Sequence, residues 1–396
     1  MKQRVVVIGN SYSTRLGIIR SVAQIGCEVV VIPIAYYKHI KPTKPIDCFS
    51  KFVSAIFFFD RSEGEDGLVR LLMEKCVVDD PKAIIIPTSD FSAHAVDNEV
   101  LMKNFHIPHI HNKIGSIGFW MNKENQKNQA IKIGLNVAKS IVVELYNDEY
   151  EIPTNITYPC FTKPLSSIGG GKTCLMRCNN IDDLKKVLDV ANKQNITNVL
   201  VEDYINIEKE YAVLGFSDGQ NVVIPGIITF TKGSECHTGV ALSGKVSPIK
   251  GFEKLVEQFI CLIKSIGFIG LFDIDFFESK GKFYFGELNL RCGASGYVLY
   301  KMGVNLPCML IKAFRKENIE NIQNKILGSS TFLNEKICID DWLAGKLSTI
   351  SIIRQMHSAG ILFVKDTNDF GPQNELNKII FKNSFSIKRI IKYIIN

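Results

Sequence analysis

The chain contains no Cys-x-x-Cys pair, and its 11 cysteines are an odd number spread over 396 residues. A protein of this length buries enough core to fold without disulfide staples, so reduced cytoplasmic thiols are expected rather than a secreted framework. The opening Met-Lys-Gln-Arg and the run Val5-Val-Val-Ile-Gly9 that follows are too short for a signal peptide or a membrane span. No dense Lys/Arg tract with interleaved aromatics is present, and a net charge of +7 is modest for this length. That argues against a nucleic-acid partner and assigns the excess mainly to phosphate handling. Internal repeats and low-complexity linkers are missing too, which points to packed domains rather than beads on a string. With 46% hydrophobic residues, the composition is that of a globular chain with two or three domains.

Two familiar phosphate-binding signatures are also absent. Gly9 ends an apolar strand pattern, but no G-x-G-x-x-G follows it. Gly171-Lys172-Thr173 reads like the end of a P-loop, yet the glycine required five residues before Gly171 is replaced by Ser166. A P-loop also opens directly into a long helix, whereas Cys174-Leu-Met-Arg-Cys178 reads as a short strand. Asn180 then caps a separate helix with Ile181, Leu184, Leu188 and Ala191 on its inner stripe. The stretch from Tyr158 to Cys178 is therefore expected to form a strand, a glycine loop at Gly169, Gly170 and Gly171, and a second strand. Such a hairpin flap can close over phosphates.

What the chain does carry is a run of alternating polar residues, Phe283-Tyr-Phe-Gly-Glu-Leu-Asn-Leu-Arg291. In one strand Glu287, Asn289 and Arg291 point the same way, because residues two apart share a face. Just upstream, Phe272-Asp-Ile-Asp-Phe-Phe-Glu-Ser-Lys-Gly-Lys282 reads as a second strand and a turn. A three-residue loop at Lys280-Gly281-Lys282 sets Asp275 opposite Glu287, and a two-residue loop slips the register by one. An Asp, a Glu and an Asn amide oxygen make a hard, oxygen-only set suited to magnesium. Arg291 beside them is placed to neutralise a transferring phosphoryl group. Alone, the run also suits a half-buried hairpin with a polar outer face.

Taken in order, these pieces resemble the ATP-grasp superfamily over residues 113 to 312, and the strand pair is similar to the biotin carboxylase arrangement. The acid twelve residues before the Glu-x-Asn-x-Arg run is Asp275, not Asp273. The resemblance implies a metal site of Asp275, Glu287 and Asn289, with Arg291 catalytic. It also implies ATP with Mg2+ or Mn2+ as cofactors. Lys123 and Lys163 take the positions of the two phosphate-contacting lysines. Val201-Glu202-Asp203-Tyr-Ile205 looks like the adenine hinge, which implicates Glu202, Asp203 and Ile205. Glu210 stands where the family binds ribose, with Glu208 as second candidate. Gly286 departs from the family pattern, which has an apolar side chain there.

The expected fold class is α/β and α+β: an N-terminal parallel-sheet Rossmann-like domain, then a two-lobed ATP-grasp domain with antiparallel sheets. The domains implied are 1–112, 113–315 and a C-terminal extension, 316–396. Arg4 to Gly9, Cys27 to Pro33 and Ala83 to Pro87 read as strands and Leu16 to Ile25 as a helix, so Arg15 and Asp90 sit in loops where parallel-sheet ligands gather. His106, His109 and His111 crowd together without an acid or cysteine, a poor zinc site. His237 and Lys245 lie between the hinge and the metal strands as candidate substrate contacts. The tail from Ile387 to Ile395 places isoleucines on one helical face and Lys388, Arg389 and Lys392 largely opposite. That pattern suits docking on the protein itself or peripheral membrane contact. The function implied is an ATP-dependent carboxylate–amine ligase acting on a small-molecule carboxylate and amine, with a homodimer as one expected assembly. Ile339 to Ser348 is faintly similar to bacterial cell-wall and surface-polysaccharide ligases of the superfamily, including D-aspartate ligase. A biotin-dependent carboxylase and a non-catalytic nucleotide binder are the alternatives. The chain shows no Ala-Met-Lys-Met-type biotinylation segment of its own.

Overall fold

The computed structural model describes residues 2–37, 42–146, 150–166, 168, 174–237 and 239–384. The expected flap glycines Gly169, Gly170 and Gly171, together with Lys172 and the basic tail, lie outside the described residues.

Near the N-terminus, β-branched runs form strands buried on both faces, as a parallel sheet covered by helices requires. These are β1 (Arg4–Gly9), β2 (Glu28–Ala35), β3 (Val53–Ile56), β4 (Phe59–Asp60) and β5 (Ile84–Pro87), in the order β3-β2-β1-β5 with β4 paired to β2. All of these pairings are parallel. Val5 and Val7 join a core with Ile18 and Val22 of α1 (Tyr12–Ala23), whereas Val6 and Ile8 pack with Leu68 and Leu72 of α2 (Gly64–Lys75). At the carboxyl ends of β1 and β5, the loop at Gly9 faces the start of α3 (Asp90–Val96).

After α4 (Glu99–Asn104), β6 (His109–Ile110), α5 (Ile117–Trp120) and α6 (Lys123–Lys132), a small lobe follows. It consists of β7 (Ser140–Glu144), β8 (Cys160–Pro164), β9 (Met176–Cys178), α7 (Ile181–Lys193) and β10 (Asn198–Asp203), in the antiparallel order β7-β10-β8-β9. β8 and β9 pair as the hairpin reading requires. Asn180 caps α7 by accepting the Asp183 N–H. The inner stripe of α7 is Leu184, Val187, Leu188 and Ala191. Ile181, expected inside, is exposed because it occupies the first turn, ahead of the point where the helix meets the sheet.

The large sheet is built from β11 (Lys209–Asp218), β12 (Val222–Val223), β13 (Ile227–Gly233), β14 (Ala241–Ser247), β15 (Phe268–Ser279), β16 (Lys282–Asn289), β17 (Ser330–Leu333) and β18 (Ile361–Leu362). Its order is β16-β15-β11-β13-β14-β17-β18, with β6 also paired to β15. Helices α8 (Glu253–Ile266), α9 (Gly296–Lys301), α10 (Leu306–Phe314), α11 (Glu335–Leu343), α12 (Thr349–Ser358) and α13 (Phe370–Ser384) complete the described elements. One core joins Val5 and Val7 to Leu214, Leu299, Leu310 and Phe332, so the parallel sheet, the large sheet and the C-terminal strands share it. Glu335 fastens the last part of the chain: its carboxylate accepts the N–H groups of Phe363, Val364 and Lys365.

The register of β15 and β16 is set by two local features. Their connection is a two-residue turn, Lys280-Gly281, with φ values of 50° and 69°, and Ser279 pairs with Lys282. Positive φ at both positions is the geometry that suits a tight hairpin. The register then shifts: Phe276 faces Phe285, while Asp275 faces Glu287. Gly286 is the extra residue of a β-bulge, and its backbone lies so close that a Cβ would stand 2.9 Å from the Asp275 carbonyl oxygen. Its departure from the family's apolar residue thus has a steric reason. We predict that Gly286→Val lowers stability by about 1–3 kcal/mol, the usual range for forced overpacking. An unchanged urea-unfolding midpoint would show that the bulge tolerates a side chain.

Candidate active site

β15 and β16 put four polar side chains on one face of the large sheet, with Asp273 opposite Asn289 and Asp275 opposite Glu287. β11, on the other side of β15, places Ala212 opposite Asp275 and Glu210 two residues along on the same face. Burial pushes the Asp275 carboxyl well above the ordinary carboxylate range, and repulsion from Asp273, Glu287 and Glu210 adds to it against the pull of Arg291. Burial also pushes Asp273 up to about 6, opposed by Arg291 and assisted by Glu287 and Asp90. The Oδ1 atom of Asp273 is buried without a hydrogen-bond partner.

Cations approach this face from separate elements. Lys123 is the first residue of α6, whose start is fixed by Asn122 accepting the Glu124 and Asn125 N–H groups. The Lys123 N–H donates to Leu165 O at 2.9 Å, tying α6 to the end of β8, and its Nζ lies 3.0 Å from Glu287 Oε1. Arg291 lies two residues past the end of β16. Its Nε lies 2.7 Å from Asp90 Oδ1 and its Nη2 3.2 Å from Asn289 Oδ1. The Asn289 amide nitrogen is 3.5 Å from Asp275 Oδ2, a long contact.

One helical turn past Lys123, Lys127 donates to Glu202 Oε1, and Lys163 reaches Glu202 Oε2, both at 2.7 Å. Burial opposes charge on Glu202, but the ammonium groups of Lys163 and Lys127 outweigh it and hold the carboxyl below its usual range. Burial lowers Lys127 in spite of Glu202. The pair is thus favourable for the carboxylate and costly for the lysine, because Glu202 has two cationic partners, whereas Glu202 and Asp203 do not offset the desolvation of Lys127 and its repulsion by Lys163.

The remaining sequence candidates occupy varied places. Asp203 accepts the Thr157 hydroxyl and donates its backbone N–H to Lys139 O. Ile205 is half-buried in the segment after β10. Glu208 accepts the Lys280 N–H and so caps the β15–β16 turn, whereas Glu210 is exposed on the acidic face. Arg15 is no free substrate contact: it is buried, holds Asp47 through two bonds and donates to Gly9 O. His106 stacks on Phe314 and His109 turns to Ile107 O. His237 lies 3.5 Å from Asp340, while the neighbouring Asp341 accepts from the Ser234 hydroxyl and the Glu235 and Cys236 N–H groups. Lys245 is exposed on β14.

Sequence reasoning set Asp273 aside in favour of Asp275 and missed Lys127 and the Asp90–Arg291 contact. Strand alternation carried a signal for Asp273, two residues from Asp275, and helix periodicity carried one for Lys127, four residues from Lys123. The contact with Asp90 joins positions 201 apart in the chain, which no local pattern reports.

Hard oxygen donors of this kind suit magnesium rather than a soft metal. Among the described residues, no three His, Cys, Asp or Glu side chains form a group that holds a metal by itself. Magnesium commonly takes one or two carboxylates and completes its octahedron with water and substrate phosphates. The unpartnered Asp273 oxygen and the crowding of acids fit a cation at this face.

Residues 128–303 match the family description "ATP-grasp domain". Over 201 residues it is 27% identical to the carbamoyl phosphate synthase large chain of Lachnoclostridium phytofermentans, covering 49% of this chain and 18% of that one. It is 25% identical over 256 residues to the D-alanine–D-alanine ligase of Geobacillus kaustophilus, covering 60% of this chain and 69% of the ligase. The fold is similar to the biotin carboxylase domain of the Hydrogenobacter thermophilus 2-oxoglutarate carboxylase, crystallised with MgADP, ADP and bicarbonate. There the TM-score is 0.64 at 19% identity, over 84% of this chain and 74% of that one. The chain thus spans under a fifth of the synthase and about two thirds of the ligase. No described helix is long and apolar enough to cross a membrane.

We predict that Lys127→Met destabilises the protein by about 1–3 kcal/mol at neutral pH, since a buried carboxylate loses one of two partners. Because the folded-state Glu202 carboxyl lies below its usual value of about 4.3, its contribution is full above that pH and fades as pH falls through the depressed folded value. The gap between variant and wild type should therefore shrink below about pH 4, read as urea midpoints across a pH series. A gap that stays constant in acid would remove the ion pair as its cause.

Proposed function

We propose that this protein is an ATP-dependent carboxylate–amine ligase. The observation that carries the reading is the strand pair with Asp275, Glu287 and Asn289 on one face beside Lys123 and Arg291, set within an ATP-grasp domain. Asp275, Glu287 and Asn289 would hold the divalent cation, which when bound offsets charge on the nucleotide phosphates. Lys123, Lys163, Gly169, Gly170 and Gly171 hold the triphosphate, residues 202–205 the adenine and Glu210 the ribose. Arg291 balances charge that grows on the transferring phosphoryl group.

In this reading an oxygen of the substrate carboxylate attacks the γ-phosphorus, the bond to ADP breaks, and an acyl phosphate forms. The amine nitrogen then attacks the acyl carbon, phosphate leaves with the C–O bond electrons, and loss of a proton from nitrogen completes the amide. Phosphorylation supplies a leaving group that oxide cannot be. Residues 113–315 form the nucleotide-binding unit in this scheme, with 1–112 bordering the acceptor side. The substrate carboxylate and amine, a cell-wall or surface-polysaccharide amino acid among them, are to be found by phosphate release from ATP and magnesium with pools of amino acids and carboxylates.

The expected products are ADP and phosphate, with isotopic oxygen from the labelled carboxylate in the phosphate. Glu287→Gln and Asn289→Ala should stay folded and lose magnesium-dependent turnover, and chelation of magnesium should stop the wild type. AMP with pyrophosphate as products, or near-normal turnover in both folded variants, would overturn the scheme. A strict requirement for bicarbonate and a biotin acceptor would make it a carboxylase.

A further inference from the structure

We propose that Asp90, at the carboxyl edge of the N-terminal parallel sheet, is a positioning residue that orients the Arg291 guanidinium over the phosphoryl-transfer face. The inference rests on the ligase reading above.

Arg291 stands two residues past Asn289, the last residue of β16, on a side chain that loses roughly 2 kcal/mol of rotamer entropy when fixed. Two anchors fix it. Nε meets Asp90 Oδ1 at 2.7 Å, and Nη2 meets Asn289 Oδ1 at 3.2 Å. One anchor is the first residue of α3 and the other the last residue of β16, so together they define the plane of the fork as well as its place.

Asp90 is itself held on a rigid mount. It is the first residue of α3, where the Ser89 and Ser92 side chains each accept the other's backbone N–H in a capping box. The Thr88 N–H and hydroxyl and the Ser92 hydroxyl all converge on Ile8 O, at 2.7, 3.0 and 3.3 Å. These bonds lock the ends of β5 and β1 together. On the other side, α1 lies so close to α9 that a Cβ on Gly17 would stand 2.9 Å from Tyr297 Cβ. The chain just after Arg291 is therefore pressed against the N-terminal sheet's own helix. A displacement of that sheet relative to β16 would carry Asp90 away from Arg291.

By charge alone Asp90 is an odd neighbour, since it adds another carboxylate near Asp273, Asp275 and Glu287. Orientation accounts for its presence. A guanidinium held in one plane reaches a phosphoryl oxygen without reorganising, which is where preorganised electrostatics gain their effect.

The test uses the full chain as wild type, Asp90→Asn, Asp90→Glu, Arg291→Lys and the Asp90→Asn/Arg291→Lys double variant. Turnover is measured with the carboxylate–amine pair found by the phosphate-release screen, MgATP affinity by calorimetry and folding by thermal melts. Asp90→Asn should lower kcat by roughly 10- to 100-fold, the scale of a misaligned transition-state group, with MgATP affinity little changed. Asp90→Glu should recover part of the loss, and the double variant should be no slower than Arg291→Lys alone. Losses that multiply in the double variant, or an Asp90→Asn effect confined to MgATP affinity, would overturn the proposal. A separate arm uses 15N-arginine labelling. The Arg291 Nε–H signal, identified by its loss in Arg291→Lys, should exchange slowly with water in the wild type and quickly in Asp90→Asn. Fast exchange in the wild type overturns the contact even if no pool supports turnover, whereas absence of turnover in a wild type with a protected Arg291 signal counts against the ligase reading alone.

Discussion

Asp273, Asp275 and Glu287 share one face of two neighbouring strands, and their mutual repulsion is what the surrounding elements are arranged to offset. Two like charges 4 Å apart repel by about 4 kcal/mol at an effective dielectric of 20, so a few such pairs rival the stability of a domain. Burial and this repulsion together push the Asp273 and Asp275 carboxyls above the ordinary carboxylate range. Lys123 from the start of α6 and Arg291 from just past the end of β16 offset part of that cost. Each cation arrives on a different element, so the charge balance exists only once the large sheet and α6 are assembled.

The acids meet at all because of a small irregularity. A two-residue turn at Lys280-Gly281 without a bulge would set Asp275 opposite Gly286, and Glu287 opposite Ile274, on the other side of the sheet. The bulge at Gly286 adds one residue to β16 and brings Glu287 back beside Asp275. A bulge needs backbone room more than a side chain, and the closeness of the Asp275 carbonyl leaves none for a Cβ. The meeting of these acids thus depends on a glycine.

This also marks how far the sequence could be read. β1 and the parallel sheet were legible because strands buried on both faces become unbroken apolar runs, and α7 was legible from its cap and stripe. The pairing of Asp275 with Glu287 was legible only as one of two outcomes. The turn is shorter than the pairing needs, and the bulge compensates, so two local departures cancel. Neither departure shows in a polar alternation pattern. Ile181 fits the helical period yet lies outside, because periodicity gives a face but not where along the helix that face meets the sheet. Arg15 looked like a loop residue free for substrate, and its partner Asp47 sits 32 residues on in a segment with no regular pattern. Asp90 and Arg291 are the extreme case, a contact made by tertiary packing alone.

The second charged cluster then acquires a role that its stability cannot explain. Lys163 already meets Glu202 at 2.7 Å, so on the ligase reading it has to serve a phosphate without abandoning a buried carboxylate. An ammonium carries three donors, which permits sharing rather than exchange, and Lys127 keeps Glu202 satisfied in either case. The desolvation of Lys127 is a standing cost, and an apolar substitute for the whole triad would be at least as stable by the usual balance for buried ion pairs. What the charged triad adds is a mechanical link. It joins the segment proposed to hold adenine, through Glu202, to the lysine proposed to hold phosphate and to the helix that carries Lys123. A nucleotide that engages one end of this link therefore finds the other cations already placed.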